Sequence, residues 1–205
     1  MGHVPKSDTA SIPVLSFEEA LERRTESGEY DRSRWLYVPD FYSEYRYILG
    51  TRGSRPLIAV GINPSTAAPD ALDNTLKSVE RIALSNGYDS FLMFNVYAQR
   101  ATDPDAMERD FNPILHRENM KAFSYLLEVA GEGPAVWAAW GTIILKRPWL
   151  AGCVRDMASV GQGRGARWFT CGARSKKGGH PHHPLYLKKD APLESFDVDA
   201  YLNSL

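Results

Sequence analysis

The sequence predicts an α/β fold of three layers (α/β/α) with a central, mostly parallel, four-stranded sheet. Three observations lead to this prediction. Short continuous apolar segments, typical of strands buried on both faces of a sheet, recur along the chain. Longer segments with helical periodicity separate them, as in proteins with parallel sheets. The 205 residues are 43% hydrophobic and 24% charged, which suits one domain with a sizeable core.

The N-terminal part is expected to form an extension, residues 1–34, that precedes a single α/β domain, residues 35–205. The extension contains Ser16-Phe17-Glu18-Glu19, a capping-box pattern. In this pattern the serine and the glutamate three positions later satisfy free N–H groups at the start of a helix. The helix that begins there is expected to end near Gly28.

The predicted strands are runs rich in apolar, aromatic or β-branched residues. Two strands precede the main sheet, at 35–38 and 45–49. The four strands of the main sheet are expected at 57–62, 91–96, 135–139 and 167–170. Helices are predicted at 74–84 and 115–129, because each segment is closed by Gly-containing residues that end helices. The Gly- and Arg-rich segment 161–179 is expected to be an exposed, mobile loop.

The net charge of −1 conceals a strong asymmetry. Residues 141–189 contain ten Lys and Arg and a single acid, so this segment carries +9 and the remainder carries −10. A basic segment on an otherwise acidic protein is expected where a surface meets phosphates. The alternative is a solvated face whose charges pair with acids elsewhere in the fold. The sequence leaves both interpretations open.

Several function classes are not supported by the sequence. No run of about 18 apolar residues is present, and the N-terminus lacks the apolar stretch of a secretory signal, so a cytoplasmic location and no membrane partner are expected. The two cysteines, Cys153 and Cys171, are too few for a disulfide framework or a four-thiolate cluster, and both are interpreted as ordinary thiols. No cofactor, no metal and no obligate protein partner are predicted.

Polar segments follow the predicted parallel strands at the points where those strands end. They are residues 61–67, 95–104 and 140–142, and a His-rich loop follows at 179–189. Ligands of open parallel sheets bind beyond the carboxyl ends of the strands. We therefore expect these segments to converge on one pocket.

Four short motifs stand in these segments. Gly61-Ile62-Asn63-Pro64 is similar to the first motif of the mismatch-specific uracil- and thymine-DNA glycosylases, which belong to the uracil-DNA glycosylase superfamily. His183-Pro184-Leu185-Tyr186-Leu187 is similar to the second. The strand ending in Asn95, followed by Arg100 and Pro104, resembles the Asn-Val-X-X-X-Arg-Pro region, and Ala138-Ala139-Trp140-Gly141 resembles the Leu-Gly strand end. The order and spacing agree over roughly residues 55 to 190.

The pattern most resembles a bacterial and phage branch of uncharacterised proteins with Gly-Ile-Asn-Pro-Ser-Thr-Ala and His-Pro-Leu-Tyr-Leu motifs. Two departures from the wider superfamily matter. Many members have four cysteines that hold an iron–sulfur cluster, whereas this chain has two, and so no cluster is predicted. Ser65-Thr66 replaces an aromatic residue or glycine, which argues against specificity for plain uracil.

The resemblance implies hydrolysis of the N-glycosidic bond of a modified or damaged base that is flipped out of DNA, leaving an abasic site. This reaction develops positive charge on the sugar and negative charge on the base, and it needs a placed water, donors to the base and a pocket that excludes solvent. The resemblance implies that Asn63 holds the attacking water and that His183 stabilises the negative charge on the leaving base. Residues predicted to bind the base are Ile62, Pro64, Ser65, Asn95, Tyr97 and His180.

Each of these roles has a simpler alternative. Asn63-Pro64 suits an ordinary turn, and Asn95 suits a backbone cap at a strand end. Tyr97 is an equally good core residue. His180 and His182 are alternatives to His183 for the catalytic role, because the His-Pro-His-His-Pro string can be aligned with the motif in several ways. Metal binding by these three histidines is the minority interpretation, since no acid lies inside the string. Capping explains the polar residues near the helix start at 74, Asp70, Asp73 and Thr75.

The surface predicted to bind DNA is centred on the basic loop. Leu185, Tyr186 and Leu187 are candidates for a wedge that enters the base stack, or alternatively for a short core strand. Phosphate contacts are expected from Arg100, Arg174, Lys176, Lys177, Lys188 and Lys189. DNA is thus the predicted partner, in repair or in defence against phage. The alternatives are an enzyme that acts on free nucleosides or nucleotides, and a nucleic-acid-binding module without catalysis.

Overall fold

The structure is a computed structural model that describes residues 2–24 and 30–205. The helices of this part of the chain are α1 (Phe17–Glu22), α2 (Asn74–Ser85), α3 (Pro113–Val129), α4 (Leu150–Gly163) and α5 (Val198–Asn203). Its strands are β1 (Trp35–Val38), β2 (Ile48–Thr51), β3 (Pro56–Gly61), β4 (Ser90–Asn95), β5 (Ala135–Ala138), β6 (Arg167–Cys171) and β7 (Leu193–Ser195). The α/β class is therefore confirmed.

The strands form one mixed sheet in the order β1-β2-β4-β3-β5-β6-β7. The four central strands, β4, β3, β5 and β6, are parallel to one another and correspond to the four predicted ones. The prediction of a four-stranded sheet is wrong, because the described residues form a sheet of seven strands. Antiparallel edge strands extend it: β1 and β2 beside β4, and β7 beside β6. The three-residue β7, with Glu194 and Ser195 exposed, lacks the apolar run that identifies a buried strand.

Helices cover both faces of the sheet, which gives the three predicted layers. Successive residues of a strand point to opposite faces. Leu57 and Ala59 of β3 pack in the core that α2 closes, whereas Ile58 and Val60 pack in the larger core beneath α3 and α4. Phe17 of α1 joins the larger core, so the N-terminal helix packs on the same domain.

Several element boundaries differ from the predicted ones. Helix α1 starts at Phe17 with the predicted Ser16–Glu19 capping box formed, and it ends at Glu22; the expected end near Gly28 lies outside the described residues. Strand β2 begins at Ile48 rather than at residue 45. The segment 161–179 is not one loop, because it includes the end of α4 and all of β6. Helix α4 was not predicted; its three glycines lower helix propensity and obscure the apolar periodicity.

Both cysteines are free and buried. Burial raises the pKa of Cys153 to about 12 and that of Cys171 to about 11, so both stay protonated at neutral pH. Within 2–24 and 30–205, no helix combines the length and apolar character needed to cross a membrane.

Candidate active site

A cavity of about 610 Å³ opens at the carboxyl ends of β3, β4 and β5. All four segments that the sequence predicts to converge contribute to its walls, together with the start of α2, Arg46, Met93 and Ile143. The predicted site residues that line it are Ile62, Asn63, Pro64, Ser65, Asn95, His183 and Leu185. Another cavity, of about 390 Å³ beside α1 and β1, contains none of the predicted site residues.

Gly61 allows the floor of this cavity to form where β3 ends. A Cβ atom at this position would lie 2.6 Å from the Met93 methyl group and 3.1 Å from Asn95 Oδ1. A side chain at this position would displace the end of the flexible Met93 side chain and crowd the space beside Asn95.

The side chain of Asn63 is oriented by two main-chain carbonyl groups. Its Nδ2 donates to the oxygens of Ala101, at 2.7 Å, and Pro64, at 3.1 Å. These two bonds orient the amide of this half-buried side chain in the cavity wall, and no described residue donates to its Oδ1. This oxygen is suited to accept a hydrogen bond from a water or a ligand.

Asn95 presents an unsatisfied amide to the cavity. The residue is only 1% exposed, and neither Oδ1 nor Nδ2 has a hydrogen-bond partner among the described residues. The interpretation of Asn95 as a backbone cap is wrong, because its side chain bonds no backbone group; instead, Asn119 donates to the Asn95 carbonyl oxygen. A buried polar group without a partner costs about 1–3 kcal/mol. A buried donor and acceptor together in a cavity wall are typical of a ligand-binding site.

His183 is the histidine that the fold brings to the cavity. Burial lowers its pKa, and so does the neighbouring His182, although Asp73 opposes the shift. The ring is therefore neutral at neutral pH. Its Nδ1 accepts from the main-chain N–H of Leu185 at 3.3 Å, which places the ring proton on Nε2. His183 thus offers an N–H donor without a positive charge.

The other two histidines of the string have different surroundings. His180 was predicted to bind the base, but its ring is buried with Nδ1 against the Tyr201 hydroxyl, 2.9 Å away, and does not line the cavity. His182 Nδ1 lies 2.7 Å from the His183 carbonyl oxygen. In the described part of the chain, no three His, Cys, Asp or Glu side chains are grouped as ligands for a metal.

The structure corrects two further predicted roles. Tyr97 is fully buried, donates its hydroxyl to Glu108 and packs its ring against Trp149, so it cannot stack on a base in the cavity. Arg100 is also fully buried and has no access to a phosphate. Its guanidinium donates to the Ser65 and Ala67 carbonyl oxygens and to the Tyr37 hydroxyl, which holds the loop after β3 in place.

The candidate wedge separates into residues with different environments. Leu185 is half-buried and lines the cavity. Leu187 packs in the core beneath α2, with its side chain against Gly172, so the core alternative holds for this residue. Residues 184–186 form a short 3-10 turn rather than a strand. The side chain of Tyr186 lies outside the described part of the structure.

The basic segment divides into two groups of five. One group supports the fold through ion pairs or bonds to carbonyl oxygens: Lys146, Arg147, Arg155, Arg164 and Arg167. The other group is exposed and forms no ion pair with any described residue: Arg174, Lys176, Lys177, Lys188 and Lys189. The second group lies in the loop between β6 and β7 that also carries His183. Pairing with acids elsewhere in the fold is therefore observed for Lys146 and Arg164, whereas phosphate binding by the exposed group stays a prediction.

Two charged residues of the cavity wall were not predicted as site residues. Arg46 is buried and lines the cavity. The sequence signal for it is weak: one cation inside the aromatic run Tyr45 to Leu49. Asp73 caps α2 as expected, accepting from the Leu76 N–H at 2.9 Å, but it also lines the cavity. Asp73 lines the cavity because α2 begins at the carboxyl ends of the strands. A capping pattern in the sequence does not reveal where a helix packs on the sheet.

Fold and site together define an α/β protein with a cavity at the carboxyl ends of its parallel strands, where a few polar side chains stand among apolar ones. Residues 46–185 match a family profile described as "protein of unknown function (DUF1643)", and the chain belongs to this family. The matched range contains every residue that lines the cavity, from Arg46 to Leu185. No curated protein and no solved structure matches the chain.

Proposed function

We propose that this protein is a DNA glycosylase with a fold of the uracil-DNA glycosylase type, which hydrolyses the N-glycosidic bond of a flipped-out, modified or damaged base. One observation carries the proposal. The amide of Asn95, buried and without partners among the described residues, faces the same cavity as Asn63 and His183. The four motifs that resemble the superfamily supply the walls of this cavity.

Asn95 is the residue proposed to recognise the base. A nucleobase edge presents neighbouring donors and acceptors, and an amide with both Oδ1 and Nδ2 free is complementary to such an edge. Binding a base there would satisfy two groups that folding leaves unsatisfied. Flipping costs a few kcal/mol of stacking and pairing, which these new hydrogen bonds help to offset.

Asn63 and His183 are the proposed catalytic residues. Asn63 Oδ1 accepts a hydrogen bond from the attacking water and directs its oxygen toward the sugar carbon. His183 donates Nε2–H to the base as the carbon–nitrogen bond breaks and its electron pair passes to the base. The water supplies its hydroxyl to the sugar and its remaining proton to the base, His183 stays neutral overall, and the products are a free base and an abasic site.

The exposed cations of the β6–β7 loop are proposed to hold the DNA backbone. They flank the segment that brings His183 and Leu185 to the cavity, so phosphate contacts there would place the flipped nucleotide at its mouth. A second candidate function is hydrolysis or group transfer on free nucleotides, and the buried cation Arg46 in the cavity wall favours it.

The test is base release from a panel of oligonucleotides, with abasic sites revealed by alkaline cleavage. The panel contains uracil, hypoxanthine, thymine mismatches, and hydroxymethylated and glucosylated cytosine. We expect cleavage of at least one substrate by the native chain and its loss in Asn63→Ala and His183→Ala. The matched control is His116→Ala, since this histidine pairs with Asp156 away from the cavity. If no substrate is cleaved and DNA does not bind at low salt, the glycosylase proposal fails.

A further inference from the structure

Arg46 is a buried cation that protein groups satisfy only in part. The residue is 1% exposed and lines the cavity. Its Nη1 donates to the Ala67 carbonyl oxygen at 3.0 Å, whereas its Nε has no partner among the described residues. Buried charged groups are normally paired and fully hydrogen-bonded. The guanidinium therefore retains unused capacity to bind, and it faces a cavity.

Arg46 has no carboxylate bonded directly to it among the described residues. Burial and the neighbouring Arg100 lower the pKa of Arg46 to about 9, so the guanidinium is still protonated at neutral pH. Asp73 is the carboxylate of the cavity wall, and it uses Oδ1 to cap α2. Among the residues that the structure describes, no acid forms an ion pair with Arg46 or Arg100. Arg46 and Asp73 are the arginine and the aspartate of the cavity lining, and Arg100, buried outside the lining, adds a second positive charge near Arg46.

The cavity also has room for more than an unsubstituted base. Its volume of about 610 Å³ falls within the range of roughly 300–1,000 Å³ in which proteins bind drug-sized ligands. A ligand whose base contacts Asn95 would leave space for a substituent. Arg46 lies in the wall of that same cavity.

We propose that Arg46 binds an anionic oxygen group of the ligand whose base Asn95 recognises. This inference rests on the proposed function in so far as the cavity holds a base. The substrate class is then a base or nucleotide with a negative charge within reach of Arg46. The anionic group is either an acidic substituent on the base or the phosphate of a nucleotide. The planar guanidinium suits either, since carboxylate and phosphate oxygens both accept its N–H donors.

The test is calorimetric binding of matched ligand pairs to the full chain. Two pairs place the charge on the base: thymine with 5-carboxyuracil, and 5-methylcytosine with 5-carboxycytosine. Two pairs place it on a phosphate: uridine with uridine 5′-monophosphate, and adenosine with adenosine 5′-monophosphate. We expect the charged member of at least one pair to bind about tenfold more tightly, and Arg46→Met to abolish that preference. The pairs that respond identify the source of the charge.

Two variants complete the design. Arg164→Met removes one cation that pairs with Glu128 on the surface, and it should keep the full preference. Arg46→Lys keeps the positive charge but loses the planar guanidinium group, and it should retain part of the preference for the charged ligand. If Arg46→Met does not fold, the result for Arg46→Lys decides the test. The proposal is overturned if no pair shows a preference, or if the preference is unchanged in the Arg46 variants. The calorimetric test measures binding without turnover, so its result does not depend on whether the protein releases bases from DNA.

Discussion

Asn63 donates its side-chain amide to the main-chain carbonyl oxygen of Ala101, across 2.7 Å. The bond joins the loop after β3 to the loop after β4, and the Ala101 N–H returns a bond of 2.9 Å to the Pro64 carbonyl oxygen. Two strand ends are thereby held side by side as adjacent walls of the cavity. The same bond orients the Asn63 amide, so the geometry of the proposed catalytic group depends on the chain 38 residues later.

Asn63→Asp should destabilise the fold more than Asn63→Ala. The aspartate would place a carboxylate oxygen against two carbonyl oxygens that now receive N–H donors. We expect the free energy of unfolding to fall by about 1–3 kcal/mol, measured by urea unfolding at pH 7. The difference from Asn63→Ala should shrink at about pH 4 and below, where the aspartate gains a proton to donate. Equal stability of the two variants at pH 7 would contradict the expected repulsion between the carboxylate and the two carbonyl oxygens.

Asn95→Leu should separate stability from function. Leucine has a similar volume and no polar atoms, so it removes two buried groups that lack partners among the described residues. We expect the free energy of unfolding to be unchanged or to rise by about 1 kcal/mol, while base release is lost. Urea unfolding and the abasic-site assay on the same preparation measure both. A variant that releases bases at the native rate would exclude Asn95 from base recognition.

Tyr97→Phe, in contrast to Asn95→Leu, should lower stability and leave base release nearly unchanged. The hydroxyl of Tyr97 donates to the buried carboxylate of Glu108, which also accepts from the N–H and hydroxyl of Thr9. Its removal should lower the free energy of unfolding by about 1–3 kcal/mol, because the acceptor stays buried. The kcat/KM for base release should stay within about twofold of the native value. A large loss of kcat/KM with native stability would contradict a purely structural role of the Tyr97 hydroxyl.

Stability should fall as the pH drops below about 6.5, the ordinary pKa of histidine. The pKa of His183 is lowered by burial, and so is that of His180. The unfolded chain therefore takes up these protons at a higher pH than the folded chain, which favours unfolding on the acid side. Urea unfolding at several pH values on either side of neutrality measures this trend. His183→Gln should reduce the slope of the free energy of unfolding against pH; an identical slope would contradict the neutral state of His183.

A quadruple Lys→Gln variant should bind DNA more weakly with an unchanged free energy of unfolding. The four exposed lysines that it replaces are Lys176, Lys177, Lys188 and Lys189. For each phosphate that the variant no longer neutralises, the slope of log Kobs against log salt concentration should become shallower by about 0.9. The matched control is Arg147→Gln. Arg147 donates to the carbonyl oxygens of Asp105, Met107 and Glu108, so its replacement should lower stability and leave the salt slope unchanged. If the quadruple variant binds DNA with the native slope, this loop is not the DNA-binding surface.

Local sequence patterns predicted the four parallel strands, the capping box and the segments that form the cavity. These features depend on side-chain alternation, caps and strand ends, all of which are set by neighbours a few residues away. The edge strand β7 and the helix α4 were missed, because the first is polar and short and the second is rich in glycine. The formation of β7 and α4 depends on tertiary contacts, since β7 pairs with β6 and α4 packs on α3 and α5.

The environments of individual side chains were decided by the tertiary structure. Asn95 and Tyr97 are two residues apart, yet the first faces the cavity and the second the core beneath α3 and α4. The chain leaves β4 at Asn95, so the alternation of a strand no longer predicts which way Tyr97 points. Arg46 reaches the cavity from a different part of the chain, and only the packing of β2 beside β4 brings it there.

The sequence by itself thus determined the α/β class, the order of the parallel strands along the chain and the segments that meet at their carboxyl ends. The tertiary structure decided which polar side chains are satisfied by the protein and which are left free toward the cavity. The physical reason is that hydrogen-bond satisfaction depends on partners distant in the chain, such as Asn63 with Ala101 and Arg100 with Tyr37. A local pattern records the donor or acceptor and not its partner.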